Sequence, residues 1–143
     1  MNSTSSSHAP DPRLRQRLEQ AADGLVYSSE GDYPFEFFFL PADRAEWPLA
    51  PDDFAALIGA PPGTRASETT LDRFLSNHME TSDPWDVETQ RIRPRYERLK
   101  ALLQENLRNV RVFRIGEIQV RCYMVGKDEQ GNLAGLATTA VET

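Results

Sequence analysis

The sequence predicts a mixed α/β (α+β) fold, a three-layer α/β/α sandwich with a largely antiparallel central sheet. Three observations lead there. Apolar residues recur at helical spacing in residues 14–25 and again in 96–107. The period switches to two over residues 110–124. One aromatic run, residues 33–40, is apolar on both alternating faces apart from Glu36, as in a strand covered on both sides.

Along the chain, residues 1–12 are Ser-rich with two prolines and read as a disordered tail, leaving residues 13–143 as one domain. Leu14, Leu18, Ala21, Ala22 and Leu25 give the first helix, which stops at Asp23-Gly24, where glycine can take a left-handed cap. Residues 28–32 form a polar loop before the aromatic strand. Residues 51–59 read as a short helix with acids in its first turn and Gly59 after its last. Residues 60–66 form a loop. Residues 70–77 form another short helix with Leu71, Phe74 and Leu75 on one face, and residues 79–86 are irregular.

Tyr96, Leu99, Leu102, Leu103 and Leu107 mark the long helix. Pro94 either starts it or kinks a longer one beginning near Val87. Val110, Val112 and Arg114 then face one way, with Phe113 and Ile115 the other. After Gly116, the residues Ile118, Val120, Cys122 and Met124 share one face of a long strand. Residues 128–132 are turn chemistry, and residues 133–141 the last strand. Short turns make the last three strands an antiparallel meander. The Phe-rich strand completes the sheet, and helices cover both sides.

The formal net charge of -6 argues against a free-standing nucleic-acid binder, which needs a basic patch to neutralise phosphates. It suits a basic protein partner, including one that itself binds nucleic acid. The plainer reading of mild acidity is solubility. A single cysteine, Cys122, excludes an intrachain disulfide and reads as a small core residue. No apolar run approaches the roughly 20 residues of a membrane span, and the start has no apolar signal core. The expected location is the cytoplasm, with no membrane partner.

The sequence contains no Gly-rich phosphate loop and no Gly-x-Gly-x-x-Gly. His8 sits in the tail and His78 in a polar loop, neither with a partner at metal-ligand spacing. Cys122 has no histidine near it in sequence, and Ser28-Ser29 lacks a nucleophile-elbow context. The expectation is a protein that is not an enzyme and has no cofactor and no metal of its own. Phe35, Phe37 and Phe39 read as core, since a base-stacking platform needs basic neighbours. Arg91, Arg93, Arg95 and Arg98 read as a solvated helix face, or as a secondary contact with nucleic acid or an acidic patch.

Several segments resemble the nuclease A inhibitor family. They are Ala22-Asp23-Gly24-Leu25-Val26-Tyr27-Ser28-Ser29-Glu30 followed by Tyr33-Pro34-Phe35-Glu36, and Asn106-Leu107-Arg108-Asn109 through Val112-Phe113-Arg114-Ile115-Gly116-Glu117. The match continues through Gly131-Asn132-Leu133-Ala134-Gly135 to Val141-Glu142-Thr143. It covers roughly residues 14 to 143 and is weakest in the middle. The resemblance implies an α/β/α sandwich that inhibits a DNA/RNA non-specific, metal-dependent endonuclease, with no direct contact to nucleic acid. It also implies three inhibitory positions: Glu30, Trp85 in the loop before the long helix, and Thr143.

Those residue types suit that task. The family's target nucleases hold a hard divalent cation, which prefers oxygen ligands, so a carboxylate can replace a substrate phosphate directly or through a metal-bound water. Glu30 supplies such a group; otherwise it is a solvated turn acid. Thr143 offers a main-chain carboxylate beside a hydroxyl, or else is a frayed terminus. Trp85 is an interface anchor or a partly buried core aromatic, whereas Trp47 reads as structural. Two other functions stay open: an interaction module of the same fold with a non-nuclease partner, and a small-molecule enzyme, which needs a deep pocket with convergent polar groups.

Overall fold

The computed structural model describes residues 9–42, 46–81 and 83–143. His8 and most of the expected tail lie outside the described residues. The first helix, α1 (Pro12–Ala22), begins one residue earlier than expected. The side chain of Asp11 accepts the Arg13 N–H at 2.9 Å, and Pro12 occupies the first turn, where its missing N–H costs nothing. Leu14, Leu18, Ala21 and Ala22 are buried. The helix stops where Gly24 turns to φ 78°, and Arg95 donates to the freed carbonyls of Asp23 and Ala21 at 2.7 and 3.2 Å.

The expected polar loop and aromatic strand resolve differently. Val26–Ser28 (β1) and Asp32–Pro34 (β2) pair as a small antiparallel ribbon, with Tyr27 opposite Tyr33. Only Glu36–Leu40 (β3) joins the main sheet. The aromatic run divides there because Pro34 has no N–H for a continuing ladder. Thr138 on the neighbouring strand donates its hydroxyl to the Pro34 carbonyl at 2.9 Å. β3 is an edge strand, so its side chains from Phe37 to Leu40 are half-buried rather than enclosed on both faces.

Next come α2 (Pro51–Leu57), β4 (Ala66–Thr69), α3 (Leu71–Met79) and α4 (Val87–Asn106). The expected loop of residues 60–66 gives way at Ala66 to β4, which the sequence does not predict. It is a short polar edge strand, Ala-Ser-Glu-Thr, with no hydrophobic period to reveal it. Thr70 caps α3, accepting from Arg73 N–H at 3.1 Å, and Asp86 caps α4, accepting from Thr89 N–H at 3.1 Å. Pro94 lies inside α4, so the longer of the two alternatives holds.

The last three strands, β5 (Arg108–Ile115), β6 (Gln119–Lys127) and β7 (Leu133–Val141), form the expected meander. Ile118 departs from expectation: it lies in the turn before β6 and is 62% exposed. The sheet runs β3-β7-β6-β5-β4 with every pairing antiparallel. Together with the four helices among the described residues this is a mixed α+β fold.

Two apolar clusters follow from the alternation. Val112, Val120, Cys122, Met124, Leu136 and Ala140 pack with residues of α1, α3 and α4. Phe113, Ile115, Val125 and Leu133 pack with Phe54 and Ala55 of α2. Phe54 stacks on Phe113 with centroids 4.5 Å apart.

The Gly-Asn-Leu-Ala-Gly stretch is explained by structure. Asn132 N–H donates to the Asp128 carboxylate at 2.9 Å, while the Asn132 side chain accepts the Ala42 N–H at 3.1 Å. Lys127 Nζ donates to the carbonyls of Ala42 and Gly131 at 2.9 and 2.6 Å. The β6–β7 turn is thereby tied to the chain leaving β3.

Candidate functional site

The turn Ser29-Glu30-Gly31 joins β1 to β2 and lies against the end of β7. Ser29 N–H donates to the Gly31 carbonyl at 3.0 Å, which closes the turn. Its hydroxyl accepts the Val141 N–H at 2.8 Å, and Glu30 N–H donates back to the Val141 carbonyl at 3.2 Å. Beyond β7, Thr143 N–H donates to Glu30 Oε2 at 2.6 Å. The Thr143 hydroxyl lies 2.7 and 2.9 Å from Oε1 and Oε2. Two of the three expected positions, Glu30 and Thr143, therefore meet directly although 113 residues separate them.

The donors hold the Glu30 carboxyl below the usual carboxylate range, first through the Thr143 hydroxyl and then through its N–H. Glu30 is an anion at neutral pH. A carboxylate has about four lone-pair positions, and two donors leave some free to face an incoming cation or its bound water. Asp32 stands two residues after Glu30, and Glu142, ion-paired with Arg114, stands one before Thr143, so Glu30 and Asp32 make the turn acidic.

The ribbon itself is fastened from below. Tyr27 stacks on Phe74 of α3 with centroids 4.2 Å apart and rings nearly parallel. Asn77 donates to the Ser28 carbonyl at 3.0 Å, and His78 Nε2 accepts the Ser28 N–H at 3.2 Å. Tyr96 on α4 donates its hydroxyl to the Val26 carbonyl at 2.5 Å. Both backbone bonds of Ser28 thus end on α3 side chains, and Glu30 projects from a supported turn rather than a loose loop.

His78 corrects an expectation. It is not in a polar loop but in the last turn of α3, 9% exposed, with its ring stacked on Tyr96 at 4.5 Å. The spacing Leu71, Phe74, Leu75, His78 is the i, i+3, i+4, i+7 stripe of one helix face and carried the signal. Burial lowers the His78 pKa, with Asp32 opposing, so the ring is neutral and free to accept.

Trp85, the third expected position, is 85% exposed and is not a core aromatic. It lies in the turn before α4, its N–H donating to Asp83 Oδ1 at 2.9 Å. Among the described residues, no hydrogen bond joins it to Glu30 or Thr143. Trp47 is structural, as expected: its Nε1–H donates to the Asn109 carbonyl at 2.8 Å and its ring meets Phe113 edge-on.

Cys122 is buried, and burial pushes its thiol up to about 11. Among the described residues, no group of three or more His, Cys, Asp or Glu side chains is placed to hold a metal ion, and no helix is long and apolar enough to cross a membrane.

The family model for the nuclease A inhibitor-like protein matches residues 13–143, nearly the whole chain. Among curated proteins, none matches the chain.

Proposed function

The chain belongs to the nuclease A inhibitor-like protein family, and from that premise we propose that it is a protein inhibitor of a DNA/RNA non-specific, divalent-metal-dependent endonuclease. Residues 13–143 are the inhibitory domain, read as a three-layer α/β/α sandwich from its two apolar clusters. It acts in the cytoplasm by occupying the nuclease's active site and is not itself an enzyme. It requires neither a cofactor nor direct contact with nucleic acid.

The single observation that carries this reading is the hydrogen-bonded meeting of Glu30 with Thr143. A hard cation held by the nuclease takes oxygen ligands, and the pair presents the Glu30 carboxylate beside the Thr143 hydroxyl. Those oxygens take the place of a substrate phosphate, directly or through metal-bound water. The acidic tip steers itself toward a site built to attract nucleic acid. Trp85 supplies apolar contact on the nuclease surface, within an interface of about 1,600 Å² in total.

The test is an inhibition assay against a magnesium-dependent non-specific nuclease with the wild type, Glu30→Gln and a variant lacking Thr143. Wild type inhibits, and both variants are weakened at least tenfold, the scale of losing a charged contact in a desolvated interface. Undiminished inhibition by both variants contradicts the mechanism. Absence of inhibition by the wild type, together with capture of a partner lacking any nuclease domain, favours an interaction module of the same fold.

A further inference from the structure

Taking Glu30 and Thr143 as the inhibitory pair, which rests on the function just proposed, we propose that Arg114 is a positioning residue for it. Its ion pair with Glu142 fixes the segment that follows β7 so that Thr143 stays against Glu30.

Residues beyond the last hydrogen-bonded pair of a strand ordinarily fray, because few contacts offset the entropy of ordering them. Here the segment after β7 is tied on alternating edges. In an extended chain successive N–H groups point to opposite sides. Val141 and Thr143 turn theirs to Ser29 and Glu30, whereas Glu142 donates to the Ile118 carbonyl at 2.9 Å. This continues the β6–β7 register, in which Gln119 faces Val141.

Side chains alternate as well. Glu142 emerges on the face of Ala140 and Thr138. Arg114 is in register with Cys122, which faces Thr138 on that same surface. Its guanidinium therefore reaches diagonally across β6 and forms an ion pair with Glu142.

Arg114 is 29% exposed and Glu142 50%, so the pair is more sheltered than an ordinary surface bridge. Cys122 offers no competing anion, since burial keeps its thiol protonated. Glu142 is the anion that Arg114 serves. Arg114 itself need not touch a partner: it restrains the residue next to the one that does.

The experiment uses the full chain carrying Arg114→Met, Glu142→Ala, or the reciprocal Arg114→Glu/Glu142→Arg, with two readouts. One is inhibition of a magnesium-dependent non-specific nuclease, and the other is the titration of the Glu30 carboxyl followed by NMR. Each single variant weakens inhibition about three- to tenfold, and Glu30 titrates closer to the ordinary carboxylate range. The reciprocal pair restores much of both. Glu142→Ala is the sharpest arm. Removing a nearby negative charge alone lowers Glu30's pKa, so a rise identifies the loss of Thr143 as donor.

Unchanged or lowered Glu30 titration in Glu142→Ala overturns the proposal. That variant alters a half-exposed side chain and carries the test if Arg114→Met fails to fold. A wild type that inhibits nothing, while Glu30 still responds to Glu142→Ala, removes the inhibitory reading and leaves the positioning intact.

Discussion

His78 accepts the backbone N–H of Ser28 through Nε2 at 3.2 Å, which fixes the neutral ring with its proton on Nδ1. Protonation removes that acceptor and places two donors face to face under the turn bearing Glu30. Burial keeps the folded-state pKa below the usual value near 6.5, so the unfolded chain takes up a proton first. Stability is therefore full above about pH 6.5, declines as pH falls below it, and levels off once folded His78 is also protonated. Urea midpoints measured from about pH 7.5 down to about pH 5 check this. His78→Gln, whose side-chain carbonyl can accept the same N–H without titrating, should flatten the decline. An equally steep decline in that variant rules out His78 as its source.

The Glu30–Thr143 clasp responds to acid as well, in a lower pH window than His78. Glu30's folded pKa is lowered by the Thr143 hydroxyl and N–H. The sign follows directly: the contact is fully present above the ordinary Glu value and is lost as pH falls through the lower, folded value. Thr143→Val deletes the hydroxyl donor and keeps the N–H. The Glu30 carboxyl should then titrate higher, between its wild-type position and the ordinary range, by NMR. No movement would mean the hydroxyl does not donate to Glu30 in solution.

Gly135 tests the sheet that carries the site. It faces Phe38 on β3 and Val125 on β6, and a Cβ there would lie 1.8 Å from the Met124 carbonyl oxygen. Backbone cannot yield as a side-chain tip can. Gly135→Ala must separate β6 from β7, and we expect a loss of about 3 kcal/mol or more, within the range of strained or overpacked core substitutions. Chemical denaturation reads it directly. A loss under about 0.5 kcal/mol, the level of a neutral surface change, would show that the strands part without cost.

These positions also show what the sequence could reveal. The stripe from Tyr96 to Leu107 and the alternation of Val112 with Phe113 are local periodic signals, and the helix and meander they imply are present. β1 and β2 have three residues each, too few for a period to register. β4 is legible only through its pairing with β5. The meeting of Glu30 with Thr143 depends on how the ribbon turn docks on β7, a long-range relationship that no local pattern encodes. Family resemblance named those two residues, but only the fold puts them in contact. In sequence Arg114 is one more face residue of a strand, and its ion pair with Glu142 diagonally across β6 exists only in the fold.

Trp85 separates binding from stability. Its backbone is held by Asp83 and by the bond from Val87 N–H to its own carbonyl at 2.9 Å, yet its indole and Val87 stand 85% and 68% exposed. A large aromatic on a fixed turn loses little entropy on binding and gains the burial of its whole surface, which is why tryptophan recurs at interface hot spots. Trp85→Ala should leave thermal stability within about 0.5 kcal/mol of wild type, as for other exposed side chains. It should weaken nuclease inhibition by about thirtyfold, equivalent to roughly 2 kcal/mol. Trp47→Ala is the internal comparison. It breaks the bond to the Asn109 carbonyl and the edge contact with Phe113, so it should cost about 2–3 kcal/mol of stability, less than truncation of a fully buried aromatic because Trp47 is only half-buried. Its inhibition should be near normal where the protein stays folded. If Trp85→Ala inhibits as well as wild type, the exposed indole lies outside the nuclease contact, and inhibition rests on the Glu30–Thr143 pair without it.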